Sequence, residues 1–117
     1  MIEVGLVEKA KVTGKKTVGA LAKFDTGAAY TSIDEGLADE VGLGPVIRTK
    51  KIKSALSKGQ ERKIVKAVIE VAGKTFGTEV NLSDRSHSKC KVLIGRNLMF
   101  NNFVVNISKE GKPPEVV

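Results

Sequence analysis

The chain has 117 residues, with 20 lysines and arginines against 13 aspartates and glutamates and a formal net charge of +7. That length suits one domain, and 41% hydrophobic with 28% charged residues is typical of a folded soluble chain, which excludes a disordered one. No apolar run is long enough to cross a membrane, no secretory leader is visible, and one cysteine cannot form an internal disulfide. These features favour a cytoplasmic protein.

Strand patterns dominate the chain from its first residues. Two apolar alternating segments, residues 3–12 and 17–24, flank Thr13-Gly14-Lys15-Lys16 and predict a hairpin. Further strands are expected at residues 65–71, where apolar side chains recur at every second position, and at residues 75–82, 91–94 and 103–107. Many short strands with little helix predict a mainly β fold, a small closed or folded-over architecture.

Helix signals are few. Asp34 as N-cap and Gly42 as stop predict a short helix between them, and residues 96–100 suit about one further turn. The fold therefore has one or two short helices, and we expect one domain over residues 1–108 followed by a tail at residues 109–117.

The most distinctive segment is Phe24-Asp25-Thr26-Gly27-Ala28, where a carboxylate follows an apolar strand. Gly27 permits a tight turn, and the small side chain of Ala28 leaves room for a ligand or another chain. On its own, Asp-Thr-Gly is more often an ordinary Asx-type turn at a strand end. A second motif, Val92-Leu93-Ile94-Gly95-Arg96-Asn97, lies further downstream, and the two in this order are far more specific than either one.

Together the motifs resemble the retropepsin-like aspartic proteases, whose half-size subunits carry an Asp-Thr-Gly-Ala turn, a flap hairpin and a late Gly-Arg-Asn segment before a helix. The resemblance covers most of the chain and implies the small closed β-barrel of the acid protease fold. It implies a flap around residues 52–64. The predicted flap tip is formed by Ala55, Leu56, Ser57, Lys58 and Gly59.

A narrower match covers residues 81–86, 92–96 and 103–106. It is similar to the retropepsin-like group labelled ATP-dependent zinc proteases, whose members are associated with ribosomal-protein glutamate ligases. That association implies glutamate-rich tails on a ribosomal protein as a substrate hypothesis.

One catalytic Asp in each chain has a direct consequence for assembly. Aspartic proteolysis needs two carboxylates that share a proton, so a chain with one such turn requires a two-fold homodimer. The resemblance implies that Asp25 is catalytic and that Thr26 braces the pair across the dimer axis. It also implies that Gly27 offers its carbonyl to a peptide substrate at the turn, which Ala28 completes.

The resemblance further implies that Arg96, between Gly95 and Asn97, anchors this turn. In the family a carboxylate two residues after the turn glycine commonly pairs with this arginine, but here Ala29 stands there, so Arg96 has either Asp34 as its partner or none. Because Ala28 cannot donate a side-chain hydrogen bond to the carboxylate, we expect a less acidic optimum than in relatives with serine there.

Neither a cofactor nor a metal is predicted. Gly73-Lys74-Thr75 lacks the earlier glycine of a phosphate-binding loop and lies between strands. His87 and Cys90 are two potential zinc ligands, whereas a closed zinc site needs about four. We expect His87 in a solvent-facing loop and Cys90 to be buried.

Basic residues concentrate around the predicted flap. They are Arg48, Lys50, Lys51, Lys53, Lys58, Arg62, Lys63 and Lys66, with Glu61 as the one acid among them. Two explanations of this basic run are equally good. The hairpin is a solvated one whose lysines discourage edge pairing, or it is a flap whose positive field favours an acidic peptide.

The leading hypothesis is an aspartic endopeptidase, and two other functions stay open. One is a catalytically silent dimerisation module with the same fold, because a fold does not establish activity. The other is a basic nucleic-acid-binding β domain. Nucleic acid is disfavoured, because Phe24, Tyr30, Phe76, Phe100 and Phe103 mostly suit core positions rather than a stacking surface.

Overall fold

A computed structural model describes residues 1–54 and 57–110. In chain order the elements are β1 (Ile2–Val4), β2 (Val7–Thr13), β3 (Thr17–Phe24), β4 (Ser32–Asp34), α1 (Glu35–Val41), β5 (Arg48–Ser54), β6 (Ser57–Val71), β7 (Lys74–Ser83), β8 (Val92–Ile94), α2 (Arg96–Met99), β9 (Phe103–Val105) and a 3-10 helix (Ile107–Glu110). The predicted mainly β fold with short helices is confirmed.

Six strands form a closed ring in the order β2-β3-β8-β4-β7-β6, and pairing between β2 and β6 completes it. β5 pairs with β6 outside this ring, and β1 with β9 forms a separate two-stranded parallel sheet. The predicted closed barrel is therefore correct. Closure leaves few exposed edges to pair with other chains, which suits a chain so rich in strands.

Alternate side chains of β6 fill the barrel. Val65, Ala67, Ile69 and Val71 are all buried, as their spacing predicted. Phe24 and Phe103 pack edge to face with ring centroids 5.2 Å apart.

Two aromatic residues are not in the core, and for them the prediction was wrong. Phe100 is 76% exposed and Tyr30 is 45% exposed. Phe100 lies where the chain leaves α2, and Tyr30 lies in the loop after Asp25. Neither position belongs to a strand or helix face that packs on the barrel.

The first predicted strand is divided in two. Between β1 and β2, the carboxylate of Glu8 accepts a hydrogen bond of 2.7 Å from the backbone N–H of Gly5, and the chain turns from one sheet to the other.

The predicted ends of α1 are confirmed. Asp34 Oδ2 accepts a hydrogen bond from Leu37 N, and Gly42 has a φ of 78°.

The segment predicted as a flap is a β-hairpin. β5 and β6 pair from Arg48 opposite Ile64 to Ile52 opposite Gln60. Of the predicted tip, Ser57, Lys58 and Gly59 begin β6, whereas Ala55 and Leu56 lie outside the described residues.

The domain boundary at residue 108 stays a prediction. Lys109, the first residue of the predicted tail, lies in the 3-10 helix, and its Nζ is 3.2 Å from the carboxylate of Glu8. Across the described ranges, 1–54 and 57–110, no helix is both long and apolar enough to span a membrane.

Candidate active site

Asp25 directly follows β3, and pairing of β3 with β8 determines where its turn lies. The N–H of Asp25 donates to the carbonyl of Ile94 at 2.9 Å, which continues the register of Phe24 with Ile94. Asp25 is a half-buried residue, its carboxylate accepts a hydrogen bond of 2.9 Å from Gly27 N, and Ala28 N donates to its carbonyl. Strand pairing thus brings the Asp-Thr-Gly turn beside the Gly-Arg motif.

Arg96 holds this turn through backbone carbonyls. Its Nη1 donates to Thr26 O at 2.9 Å, and its own N–H donates to Ala28 O at 2.8 Å. The carboxylate of Asp34, considered above as a partner, instead accepts from the N–H groups of Arg85 and Leu37. The backbone carbonyl of Thr26 therefore accepts the hydrogen bond from Arg96, whose expected carboxylate partner is absent because position 29 is alanine.

Gly95 and Asn97 complete the connection between the two motifs. A Cβ atom at Gly95 would lie 2.3 Å from Tyr30 O, so only glycine fits there. Asn97 N donates to the carbonyl of Ala29, and its Oδ1 accepts from the hydroxyl of Thr31 at 2.9 Å. Thr31 is fully buried and also accepts a hydrogen bond from Gly95 N.

Asp25 lies in a cleft of about 780 Å³ between its own turn and the β5–β6 hairpin. The hairpin contributes side chains from β5 and from the following strand. The lining residues of the hairpin are Lys50, Lys51, Ile52, Lys53, Gln60 and Arg62. Asn81, Ser83, Asp84 and Arg85 line another part of the cleft.

The cleft is strongly positive. Five basic residues line it, whereas Asp25 and Asp84 are its acidic residues among those described. A hydrogen bond from Ser86 lowers the pKa of Asp84, so this carboxylate stays ionised. Lys50 Nζ lies 3.1 Å from the Tyr30 hydroxyl and 4.2 Å from its ring centroid, a contact that joins β5 to the loop after Asp25.

A model of the RimB-like family, described as retropepsin-like aspartic endopeptidase RimB, matches residues 34–112. The chain belongs to this family. The matched range begins after the Asp25 turn, so the family model does not cover Asp25. The contacts described above are what place Asp25 beside the Gly-Arg motif. No curated protein matches the chain.

Solved structures show the same fold as this RimB-like chain. EIAV protease, complexed with the inhibitor HBY-793, has a TM-score of 0.66 at 14% identity, covering 81% of this chain and 85% of the other. Simian foamy virus (mac) protease has a TM-score of 0.57 at 18% identity, covering 92% and 99%. A protein of unknown function (DUF785) from Legionella pneumophila has a TM-score of 0.59 at 22% identity, covering 90% and 92%.

The zinc in the label of the narrower group has no counterpart in the part of this RimB-like chain that the structure describes. No group of three or more His, Cys, Asp or Glu side chains there could hold a metal ion. His87 is exposed and Cys90 is buried, as predicted.

Several residues of the site gave no separate signal in the sequence of this RimB-like protein. Arg62 was one member of a basic run, and Thr31, Ser32 and Asn81 are common polar residues within or beside strands. Their contacts link strands that are far apart along the chain, so no local pattern could reveal them.

Proposed function

We propose that this chain is an aspartic endopeptidase of retropepsin type, active as a homodimer in which the two Asp25 carboxylates activate a water molecule. The observation that carries this proposal is the position of Asp25, a half-buried residue on a turn held by Arg96, in a large cleft. Membership of a family of aspartic endopeptidases supports it.

The chemistry follows from the proximity of two like charges. Two carboxylates that lie so close do not both stay ionised, so the pair shares one proton. The ionised carboxylate takes a proton from the water molecule, and the water oxygen attacks the peptide carbonyl carbon. At the same time the protonated carboxyl gives its proton to the carbonyl oxygen. When the C–N bond breaks, the carboxyl that took the water proton gives it to the leaving nitrogen, and the other carboxylate takes a hydroxyl proton from the tetrahedral intermediate as the carbonyl reforms.

Exposed apolar side chains support a second copy as the partner. Phe100, Val104 and Ile107 are exposed in the segment that follows α2, and α2 begins at Arg96 beside the Asp25 turn. Burial of such side chains against a second copy would stabilise a dimer near the catalytic turn.

We expect the activity per subunit to rise with protein concentration, because only the dimer holds both carboxylates. Initial rates on a fluorogenic peptide, measured across the dissociation range established by sedimentation, check this. Phe100→Asp should move the rise to higher concentration, since it places a charge on the apolar segment. A monomer with constant activity per subunit would contradict the homodimer.

The charge of the cleft supports acidic peptides as substrates. Lys50, Lys51, Lys53, Arg62 and Arg85 line the cleft around Asp25 and would attract side-chain carboxylates. We therefore propose glutamate-rich peptides of a cytoplasmic partner, such as the tail of a ribosomal protein, as the substrate class.

A serine at position 28 should shift the pH dependence. Ala28 lines the cleft beside Asp25, and a hydroxyl there would donate a hydrogen bond to the ionised carboxylate and so stabilise the ionised form. We expect Ala28→Ser to move the acidic limb of the kcat/KM profile down by about one pH unit. Ala29→Ser, which adds the same hydroxyl at the next, exposed position of the cleft, is the control. An unchanged or raised acidic limb in Ala28→Ser would contradict this role for position 28.

A further inference from the structure

Among the basic residues of the hairpin whose side chains the structure describes, Arg62 is the one that is half-buried, and its side chain is held in place. It lies on β6 and lines the cleft that contains Asp25. Its Nη1 donates to Asn81 Oδ1 at 3.1 Å, and its Nε lies 3.4 Å from Gln60 Oε1. The guanidinium is thus oriented before any ligand arrives.

The acceptor that orients Arg62 is itself fixed by a buried network. Asn81 is 2% exposed, and its Oδ1 also accepts a hydrogen bond of 2.7 Å from the hydroxyl of Ser32. Its Nδ2 donates to the carbonyl of Thr31 at 3.1 Å. Since both ends of this amide are engaged, its oxygen holds a constant position toward Arg62.

The charge of Arg62 is uncompensated in the part of the chain that the structure describes. The ion pairs there are Arg48 with Glu79 and Lys109 with Glu8. Burial lowers the pKa of the Arg62 guanidinium, and the nearby positive charge of Arg85 lowers it further. A partly desolvated positive charge without a carboxylate is costly, and an anionic ligand would offset that cost.

Arg62 also retains donors for a ligand. A guanidinium carries five N–H groups in a planar fork, and the two contacts above use one on Nη1 and the one on Nε. The remaining donors on Nη1 and Nη2 have the spacing that binds both oxygens of a carboxylate.

We propose that Arg62, oriented by Asn81, binds a side-chain carboxylate of the peptide substrate and is the specificity-determining residue of the cleft. This inference rests on the proposed peptidase function and adds the residue that selects the acidic side chain. The rest of the basic hairpin contributes a diffuse positive field, whereas Arg62 makes the directed contact.

Replacement of Arg62 should leave the fold intact. Without its guanidinium, Asn81 Oδ1 still accepts from Ser32, so no buried polar atom loses its last partner. Arg62→Gln is therefore the first variant, and thermal unfolding checks its fold. If it does not fold, Arg62→Met, which keeps a long side chain, takes its place.

Binding is measured in an Asp25→Asn background, which prevents turnover, at about 0.15 M salt. The probes are a fluorescent glutamate peptide and its glutamine isostere. We expect Arg62→Gln to weaken binding of the glutamate peptide by about 10- to 100-fold and to leave the glutamine peptide unchanged. Arg62→Lys should recover only part of the loss, because an ammonium lacks the planar fork.

Lys63→Gln is the matched control, because it removes the same charge from the neighbouring position of β6. Lys63 is exposed and does not line the cleft, so we expect its replacement to weaken binding by less than about twofold. Equal weakening by Arg62→Gln and Lys63→Gln would show a diffuse field only and would overturn the inference.

Cleavage of the same two peptides by the unmodified protein separates this inference from the proposed function. If neither peptide is cleaved but binding depends on Arg62, the peptidase function fails and the carboxylate site stands. If the peptides are cleaved and Arg62→Gln changes neither binding nor the preference for glutamate, the carboxylate site fails and the peptidase function stands.

Discussion

Replacement of Asp25 by asparagine should lower the peptidase rate by at least about 1000-fold, because an amide can act neither as the general base nor as the general acid. The fold should survive. The side-chain oxygen of asparagine can still accept the hydrogen bond that Gly27 N donates to Asp25 Oδ1. The loss would therefore report chemistry rather than a damaged turn.

The measurements are kcat/KM on a glutamate-rich peptide and the oligomeric state by sedimentation. Asp39→Asn, the same chemical change at an exposed position of α1, is the control and should behave like the unmodified protein. Full activity of Asp25→Asn would exclude Asp25 as the catalytic group. An unmodified dimer without any peptidase activity would instead support the silent dimerisation module.

Mixed dimers test the shared site. After full subunit exchange in an equal mixture of the unmodified and Asp25→Asn chains, roughly one quarter of the dimers hold two aspartates. Activity should therefore fall to about one quarter if both carboxylates are required, and only to about one half if each subunit works alone.

Gly95→Ala should destabilise the protein by about 3 kcal/mol, because its Cβ would overlap the backbone of the loop after Asp25. The Cβ would lie 2.3 Å from the carbonyl oxygen of Tyr30 and 2.4 Å from its carbonyl carbon. Backbone atoms cannot rotate away as a side chain does. Relief requires the Gly-Arg segment to separate from the turn, which also strains the hydrogen bonds of Arg96.

Thermal unfolding measures this effect, and a fall in Tm of more than about 10 °C is expected. Gly77→Ala is the matched control. A Cβ at Gly77, on β7, meets no atom within 4 Å, so that substitution should change Tm little. An unchanged Tm for Gly95→Ala would show that the two segments are not packed as closely as described.

Local patterns in the sequence determined the parts of this protein that depend on neighbours along the chain. Apolar residues at every second position of residues 65–71 predicted a buried strand face, and Asp34 with Gly42 predicted both ends of α1. The Asp-Thr-Gly and Gly-Arg-Asn motifs indicated the retropepsin family and fold, because each needs special residues at special backbone positions. The roles of these residues in catalysis stay predictions.

Only the tertiary structure decided which distant residues meet. The ring closes by pairing of β2 with β6. The segment predicted as one strand is divided into β1 and β2, and β1 pairs with β9. Arg96 donates to the carbonyl of Thr26 instead of to Asp34, and Asn81 joins Ser32 to Arg62 at the cleft. Such contacts depend on strand register and ring closure, which bring together groups from separate segments. Propensity and periodicity describe one segment at a time, so the sequence predicted the strands and the Asp-Thr-Gly turn but not the network that surrounds them.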